Sequence, residues 1–267
     1  MKHGWWALAL LGACTPDAKD DVLERVDTDG DGLFDDEERD AGTDPSVADT
    51  DGDGYDDRSE LQARTDPLDP ASVIYQGGWP YNPDKDLMVD PGLEGGHATG
   101  DALPRRTGRD QFGDIVDLYD FAGHGKPVVI DVSALWCGPC QGMALWLEDG
   151  VDPFPEVFGF DQYARVQQAV ENGELTWITL MADGDPPGYP TTRATTEEWA
   201  TSFPSPHIAV ILDRNRGISD WADVRAYPSV MLLDADLRVM SWNPNNWRSA
   251  LVDAQAYAEE HGLGELD

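Results

Sequence analysis

Short apolar runs recur through the second half of the chain, and segments with helical periodicity separate them. PVVIDVSAL, from Pro127, is a nearly continuous apolar run, and TWITLM from Thr176, IAVIL from Ile208 and SVMLLD from Ser229 repeat the pattern. Runs of this length suit strands that are covered on both faces of a sheet. The pattern therefore predicts an α/β fold with a buried central sheet.

The segments between these runs carry helix signals. We expect one helix to begin at the paired cysteines and to end near Glu148, and a second to cover residues 161–172. Thr195 and Glu198 predict a capping box that opens a short helix. The last helix has one apolar face and is expected to stop at Gly262. Strands and helices thus alternate along this half of the chain.

The first part of the chain contains a repeat of 22 residues instead. DTDGDGLFDDEE, residues 27–38, recurs as DTDGDGYDDRSE, residues 49–60, and the register continues through the GTDP at Gly42 and the RTDP at Arg64. Residues 71–103, which follow the repeats, are rich in Gly, Pro and Asp and show no period, so we interpret them as a linker.

Charge sets the first limit on function. The 267 residues include 52 Asp and Glu but only 18 Lys and Arg, which gives a net charge of −34. Such a charge repels phosphate backbones and anionic membrane surfaces, so nucleic acid is not expected as a partner. Residues 17–70 hold 21 of the acidic residues and 5 of the basic ones. A block of this kind stays disordered unless something neutralises it.

Each repeat spaces oxygen ligands at loop positions 1, 3, 5, 9 and 12, with glycine at position 6. This is the spacing of a calcium loop, in which position 7 adds a backbone carbonyl. An EF-hand pair does not fit, because only the ten residues 39–48 separate the loops and they include Gly42 and Pro45. The alternative is a solvated acidic spacer. The candidate ligands are Asp27, Asp29, Asp31, Leu33, Asp35 and Glu38 in the first loop and Asp49, Asp51, Asp53, Tyr55, Asp57 and Glu60 in the second.

These repeats resemble thrombospondin type 3 calcium repeats. The resemblance implies that about two calcium ions bind, with Asp44 and Asp66 of the TDP motifs as candidate additional ligands. Calcium would neutralise the acidic block and stiffen it into a stalk. No organic cofactor is expected.

The N-terminus has the outline of an export signal, with Lys2 before an apolar run from Trp5 to Leu11. The run is too short for a mature membrane span, which needs about 20 residues. LGAC, residues 11–14, resembles the lipobox of bacterial lipoproteins, which implies that Cys14 is lipidated. Thr15 after that cysteine favours the outer membrane by the sorting tendency of that family. The alternative is an ordinary cleaved signal with an incidental cysteine.

The sequence is accordingly divided into five parts. They are a signal peptide with lipobox at residues 1–14, a tether at 15–26, two calcium-binding repeats at 27–70, a linker at 71–103 and a folded domain at 104–267.

Cys137 and Cys140 are the only other cysteines. Zinc needs four ligands, and the sequence offers neither a second cysteine pair nor histidines at ligand spacing. A purely structural disulfide would close a very small loop and stabilise little. Redox chemistry explains the spacing better, because free N–H groups at a helix start stabilise a thiolate. Cys137 is then the nucleophile, and Cys140 resolves the mixed disulfide.

WCGPC, residues 136–140, resembles the active site of thioredoxins, and DLYDFAGHGKPVVIDVSALWCGPC resembles the TlpA and redoxin branch of that family. The resemblance covers about Pro104 to the C-terminus and implies a thioredoxin-like fold, a central mixed sheet flanked by helices. It implies that Asp131 assists deprotonation of Cys140. It also implies that Pro228, in YPS before the last apolar run, is a cis-proline that aligns substrate.

Each of these residues also has an ordinary interpretation. Asp131 would then be an exposed strand acid, although its apolar neighbours argue for a covered strand, and Pro228 would be a strand-edge proline. The resemblance places four further residues at the substrate site: Trp136, Gly138, Pro139 and Tyr227.

We therefore expect an exported thiol-disulfide oxidoreductase, periplasmic or on the cell surface, that reduces or isomerises disulfides of envelope proteins from a calcium-stabilised stalk. Gly138-Pro139 is the dipeptide of reducing thioredoxins, whose potential is about −270 mV, against about −120 mV for a strong periplasmic oxidant. A membrane partner would donate electrons, and the chain would touch the membrane only through its lipid anchor. The alternative is a calcium-dependent cell-surface adhesion module with a non-catalytic thioredoxin-like domain.

Overall fold

The computed structural model describes residues 25–265. The expected signal peptide, Cys14 and most of the tether lie outside these residues. The helices are α1 (Asp35–Ala41), α2 (Asp57–Ala63), α3 (Gly138–Asp149), α4 (Ala164–Glu171), α5 (Arg193–Ser202), α6 (Gly217–Trp221) and α7 (Arg248–His261). The strands are β1 (Thr107–Arg109), β2 (Ile115–Asp117), β3 (Val128–Ala134), β4 (Thr176–Asp183), β5 (Ile208–Leu212), β6 (Ser229–Leu233) and β7 (Val239–Trp242). Within residues 25–265, no helix is both long enough and apolar enough to cross a membrane.

Five strands form a mixed sheet in the order β5-β4-β3-β6-β7. Strands β3, β4 and β5 run parallel, and β6 and β7 are antiparallel to their neighbours. All seven residues of the central strand β3 are buried, which explains its continuous apolar run. The mixed sheet with flanking helices confirms the predicted fold class.

The two faces of this sheet bury separate cores. Val128 and Ile130 pack with side chains of β1–β2 and of residues 73–88, while Val129 packs with α3, α4 and α7. Because side chains alternate along a strand, Asp131 projects on the same face as Val129, toward α3.

Residues 71–103, interpreted above as a linker, are closely packed against the domain in the structure. Tyr75 and Trp79 are buried in its core. The Tyr75 hydroxyl donates to Asp120, and the Trp79 indole N–H donates to Asp110 at 2.7 Å. The segment contains no strand and only the short 3-10 helix Lys85–Leu87. These side-chain anchors hold it, together with backbone hydrogen bonds that pair residues 100–103 with residues 237–239.

The start of α5 differs from the prediction. Thr192 is its N-cap, and the Thr195 hydroxyl accepts a hydrogen bond from the Thr192 backbone N–H at 3.0 Å. The predicted capping box of Thr195 and Glu198 is therefore wrong by one helical turn. Thr195 is buried and is the third residue of the helix, so it is the second member of the capping box and not the N-cap.

Candidate functional site

The two cysteines lie at the start of α3, where they form a disulfide with a Cα–Cα distance of 5.3 Å. Cys137 is the N-cap, and its sulfur accepts a hydrogen bond from the backbone N–H of Cys140 at 3.2 Å. Cys140 is fully enclosed, and Cys137 is 3% exposed. The first turn of a helix has unpaired N–H groups and the positive end of the helix dipole, so this position favours a thiolate on Cys137.

Asp131 lies on the face of β3 that packs against α3, and it is 2% exposed. Its Oδ2 accepts a hydrogen bond from the Ser133 hydroxyl at 2.8 Å, while its Oδ1 has no partner among residues 25–265. Burial raises the pKa of Asp131 to about 7, against the opposite effect of hydrogen bonds from Ser133 and Thr179. The carboxyl group can thus take up or release a proton near neutral pH, as a general base requires.

The turn before β6 lies against the residue that precedes the dithiol. The Tyr227–Pro228 peptide bond is cis. The Tyr227 ring meets the Trp136 ring edge to face, with centroids 5.9 Å apart. Trp136 is 41% exposed, and its indole N–H donates to Asp183 at 3.2 Å. The structure therefore brings Trp136 and Tyr227 together at an accessible surface beside Cys137.

Gly138 and Pro139 are the first two residues of α3, one exposed and the other partly buried. Arg216, which no sequence motif selects, donates a hydrogen bond to the Tyr227 hydroxyl. Asp183 was missed in the same way. Asp183 is the last residue of β4 and Arg216 follows β5, so the only signal in the sequence was a polar residue at or after the end of a buried strand.

The acidic repeats form two closely similar loops. In the first, one carboxylate oxygen from each of Asp27, Asp29 and Asp31 lies within 4.8 Å of the others, and Asp49, Asp51 and Asp53 form the same cluster in the second. Position 6 needs glycine, because Gly32 and Gly54 have φ values of +92° and +104°. Backbone N–H groups at positions 4 and 6 donate to the first aspartate, at 2.7 and 3.1 Å in the first loop.

The glutamates at position 12 are buried, and some of their carboxylate oxygens have no hydrogen-bond partner in residues 25–265. Glu38 and Glu60 are both fully enclosed. Both carboxylate oxygens of Glu38 and the Oε2 of Glu60 lack a hydrogen-bond partner in the described part of the chain. Burial, followed by the charge of Asp29, raises the pKa of Glu38 to about 7. A buried carboxylate without a partner is costly, so these oxygens fit a bound cation.

The aspartates at position 9 do not join these clusters. Asp35 Oδ1 accepts a hydrogen bond from the Thr28 N–H at 3.0 Å. Both oxygens of Asp57 are used by Thr50, from the N–H at 2.9 Å and from the hydroxyl at 2.7 Å. Each aspartate is the first residue of its helix and closes its loop through these hydrogen bonds, and its role as a calcium ligand stays a prediction.

The residues at position 7 form backbone hydrogen bonds to the aspartates at position 5 of the same loop. The N–H groups of Leu33 and Tyr55 donate to Asp31 and Asp53, at 2.6 and 2.9 Å. The Tyr55 side chain differs from its counterpart, since it is buried in the core of the following domain.

Residues 27–48 and 49–70 each match the bacterial TSP3 repeat. Over 83 residues the chain is 30% identical to the thioredoxin-like protein slr0233 of Synechocystis sp., a match that covers 29% of this chain and 77% of that protein. Among solved structures, it is similar to the thioredoxin domain of the thiol-disulfide oxidoreductase BVU-2223 from Bacteroides vulgatus, with 16% identity, 59% of this chain and 98% of that one covered, and a TM-score of 0.40. The exposed lipoprotein thioredoxin Etrx1 from Streptococcus pneumoniae gives 17% identity, 57% and 98% coverage, and a TM-score of 0.40.

Proposed function

This chain belongs to the thioredoxin-like proteins, and on that premise we propose that it is a thiol-disulfide oxidoreductase that uses Cys137 and Cys140. The observation that carries the proposal is the placement of one cysteine as the N-cap of α3, a second fully buried three residues later, and a carboxyl group with a pKa near 7 on the face of β3 that points toward this helix. A non-catalytic binding domain gives no reason for such a buried acid.

In the proposed reaction, the Cys137 thiolate attacks one sulfur of a substrate disulfide, and the other substrate sulfur leaves as a thiolate. Asp131 accepts the proton of Cys140, and the Cys140 thiolate attacks the Cys137 sulfur of the mixed disulfide. The substrate sulfur that was bonded to Cys137 then leaves as a thiolate, and the Cys137–Cys140 disulfide forms. Two electrons pass from the dithiol to the substrate, and a second dithiol must return them.

Trp136, Gly138, Pro139 and Tyr227 are proposed to line the substrate site, and Pro228 to align the substrate backbone. Support comes from the exposed edge-to-face pair of Trp136 and Tyr227 beside the dithiol. The role of Pro228 rests on the resemblance to thioredoxins.

Each repeat is proposed to bind one calcium ion. The support is the cluster of three aspartates in each loop, together with a buried glutamate that has at least one carboxylate oxygen without a partner in residues 25–265. Carboxylate oxygens are the ligands that calcium prefers, and bound calcium would remove the cost of burying Glu38 and Glu60.

The substrates are proposed to be disulfide-containing proteins outside the cytoplasm, with electrons supplied by a membrane partner. The export outline of residues 1–14 and the lipobox at Cys14 support a lipid-anchored protein. The proposed organisation is a signal peptide with lipobox (1–14), a tether (15–26), two calcium-binding repeats (27–70), a segment packed on the domain (71–103) and the thioredoxin-like domain (104–267).

Reduction of insulin in the presence of dithiothreitol tests the redox proposal. We expect activity in the wild-type protein and its loss in Cys137→Ser. Cys14→Ser is the matched control, since it removes a cysteine outside the described residues and should leave the rate unchanged. Activity that survives in Cys137→Ser would refute the proposed reaction.

A further inference from the structure

A groove of about 850 Å³ opens beside the dithiol, at the ends of β4 and β5. Two residues that line the groove contact Trp136 and Tyr227, the aromatic pair proposed to line the substrate site. Asp183 accepts the indole hydrogen bond of Trp136, and Arg216 donates to the Tyr227 hydroxyl. The groove is therefore continuous with the surface next to Cys137.

Arginine is concentrated in this groove. Arg109, Arg214 and Arg216 line it, and an adjoining cavity of about 470 Å³ shares Arg214 and adds Arg105 and Arg106. Five of the 18 basic residues of the chain thus lie along one surface of a protein with a net charge of −34. We call the two joined cavities the arginine groove.

Several of these arginines lack an acidic partner. Arg105 and Arg216 form salt bridges. Arg106, Arg109 and Arg214 form none within residues 25–265. The Nε of Arg106 is also buried without a hydrogen-bond acceptor. In a chain with almost three acidic residues for each basic one, unpaired arginines are the exception.

Four carboxylates also line the arginine groove, and each has a partner: Asp90, Asp117, Asp183 and Asp213. Asp117 accepts a hydrogen bond from the Arg105 guanidinium, and Asp90 accepts one from the Arg105 backbone N–H at 3.1 Å. Asp183 accepts the backbone N–H of Gly188 at 3.0 Å, and Asp213 accepts those of Ile218 and Ser219 at 2.9 and 2.8 Å. Neither forms a salt bridge with an arginine of the groove among the described residues. Arg109 donates one guanidinium N–H to the Gly113 carbonyl at 2.6 Å, and its other N–H groups and the Arg214 guanidinium are available to an external anion.

Close packing of the backbone places two of these arginines in one groove. At Gly108, an added Cβ would lie 2.3 Å from the carbonyl oxygen of Leu212. Glycine therefore allows β1 to lie directly against the end of β5, so that Arg109 of β1 and Arg214 after β5 line the same groove.

We propose that the arginine groove binds an acidic segment of a polypeptide substrate, next to the disulfide that Cys137 attacks. This inference rests on the proposed function and names its substrate class. Guanidinium groups pair with carboxylates in a bidentate geometry, which adds specificity as well as affinity. The joined cavities exceed the size of a small-molecule site, so an extended chain of several residues suits them. Because the protein as a whole repels acidic chains, the guanidinium groups of Arg109 and Arg214, which have no acidic partner in residues 25–265, favour such chains only at this surface.

Two matched peptides test the proposal. Each contains one intramolecular disulfide, flanked on both sides by glutamates in the first peptide and by glutamines in the second. With the full-length wild-type protein at low salt, we expect kcat/KM for the glutamate peptide to exceed that for the glutamine peptide by about tenfold, the size of one good charged contact. The ratio should fall as salt is added.

The double variant Arg109→Gln/Arg214→Gln should bring this ratio to about one. The control Lys126→Gln/Arg238→Gln removes the same two positive charges from exposed side chains outside the groove and should leave both rates unchanged. Equal wild-type rates for the two peptides, or a preference that survives in the double variant, would overturn the proposal. A preference for oxidised glutathione without one for the glutamate peptide would also overturn it.

Insulin reduction separates the two ways to fail. If insulin reduction depends on Cys137 but kcat/KM is equal for the glutamate and glutamine peptides, only the inference of an acidic substrate is refuted. If insulin is not reduced at all, the proposed function falls, and this inference falls with it.

Discussion

The Tyr55 hydroxyl donates a hydrogen bond of 2.8 Å to the backbone carbonyl of Trp79. Tyr55 belongs to the second acidic loop, where its N–H binds Asp53, and Trp79 is anchored to Asp110 of the thioredoxin-like domain. Three consecutive contacts therefore connect a proposed calcium ligand to the domain core. The repeat is part of the folded unit and not merely a spacer in front of it.

Removal of this single hydroxyl should weaken the connection. We expect Tyr55→Phe to lower the free energy of unfolding by about 1 to 2 kcal/mol, because the buried Trp79 carbonyl loses its donor while the ring still fills the core. Urea unfolding followed by tryptophan fluorescence measures the change. Tyr189→Phe, at an exposed tyrosine, is the control and should have no effect. If Tyr55→Phe and Tyr189→Phe are equally stable, the hydrogen bond from Tyr55 to Trp79 does not stabilise the protein.

The effect of Glu38→Gln should change sign with calcium. In chelator, the substitution removes a buried and unpartnered charge, so we expect the unfolding midpoint to rise. In excess calcium, it removes a ligand, and the midpoint should fall because the stabilisation supplied by the bound ion decreases. Thermal unfolding under both conditions tests this. Asp40→Asn, at an exposed position of the same helix, is the control and should move neither midpoint. A change of one sign in both conditions for Glu38→Gln would contradict a cation at this loop.

Much of this arrangement follows from sequence patterns that act locally. The run IAVIL is β5, with the same bounds, because a strand buried on both faces needs uninterrupted apolar residues. The acidic loops could be located because each side chain has a fixed position in a tight turn. The positions of Cys137 and Cys140 at a helix start follow from Pro139 in the first turn.

Contacts between distant segments could not be inferred in this way. Tyr75 and Trp79 lie in a segment without periodicity, and their burial depends on acceptors at Asp120 and Asp110, far along the chain. The contact of Arg216 with Tyr227 likewise depends on how two loops meet. At position 9 of the calcium pattern, Asp35 and Asp57 bind Thr28 and Thr50 at the start of a helix, contacts that ligand spacing alone does not reveal.

Cys140→Ser should trap a covalent intermediate. Cys137 would still attack a substrate disulfide, but without the buried second thiol the mixed disulfide cannot be resolved within the protein. We expect adducts with a disulfide-containing protein on non-reducing gels, and their loss on addition of dithiothreitol. The double variant Cys137→Ser/Cys140→Ser should form none. If Cys137→Ser traps adducts instead, the roles of the two cysteines are reversed.

Asp131→Asn should change both the pH dependence of stability and that of the reaction. Burial raises the pKa of Asp131 to about 7 from 3.8, so between these values the folded protein holds a proton that the unfolded chain has lost. Its contribution to stability is therefore greatest at low pH and falls as pH rises to about 7. At 1.36 kcal/mol for each pH unit, the loss is up to about 4 kcal/mol.

Because the asparagine side chain stays neutral, the variant should be more stable than the wild type at pH 8 and should lack this part of the slope. It should also reduce insulin more slowly above pH 7, where the wild-type carboxylate accepts the proton of Cys140. Asp236→Asn, at an exposed site, controls for the change in net charge. Urea unfolding and insulin reduction at several pH values measure both effects, and a variant whose stability and rate follow the wild-type pH profiles would exclude Asp131 as the proton acceptor.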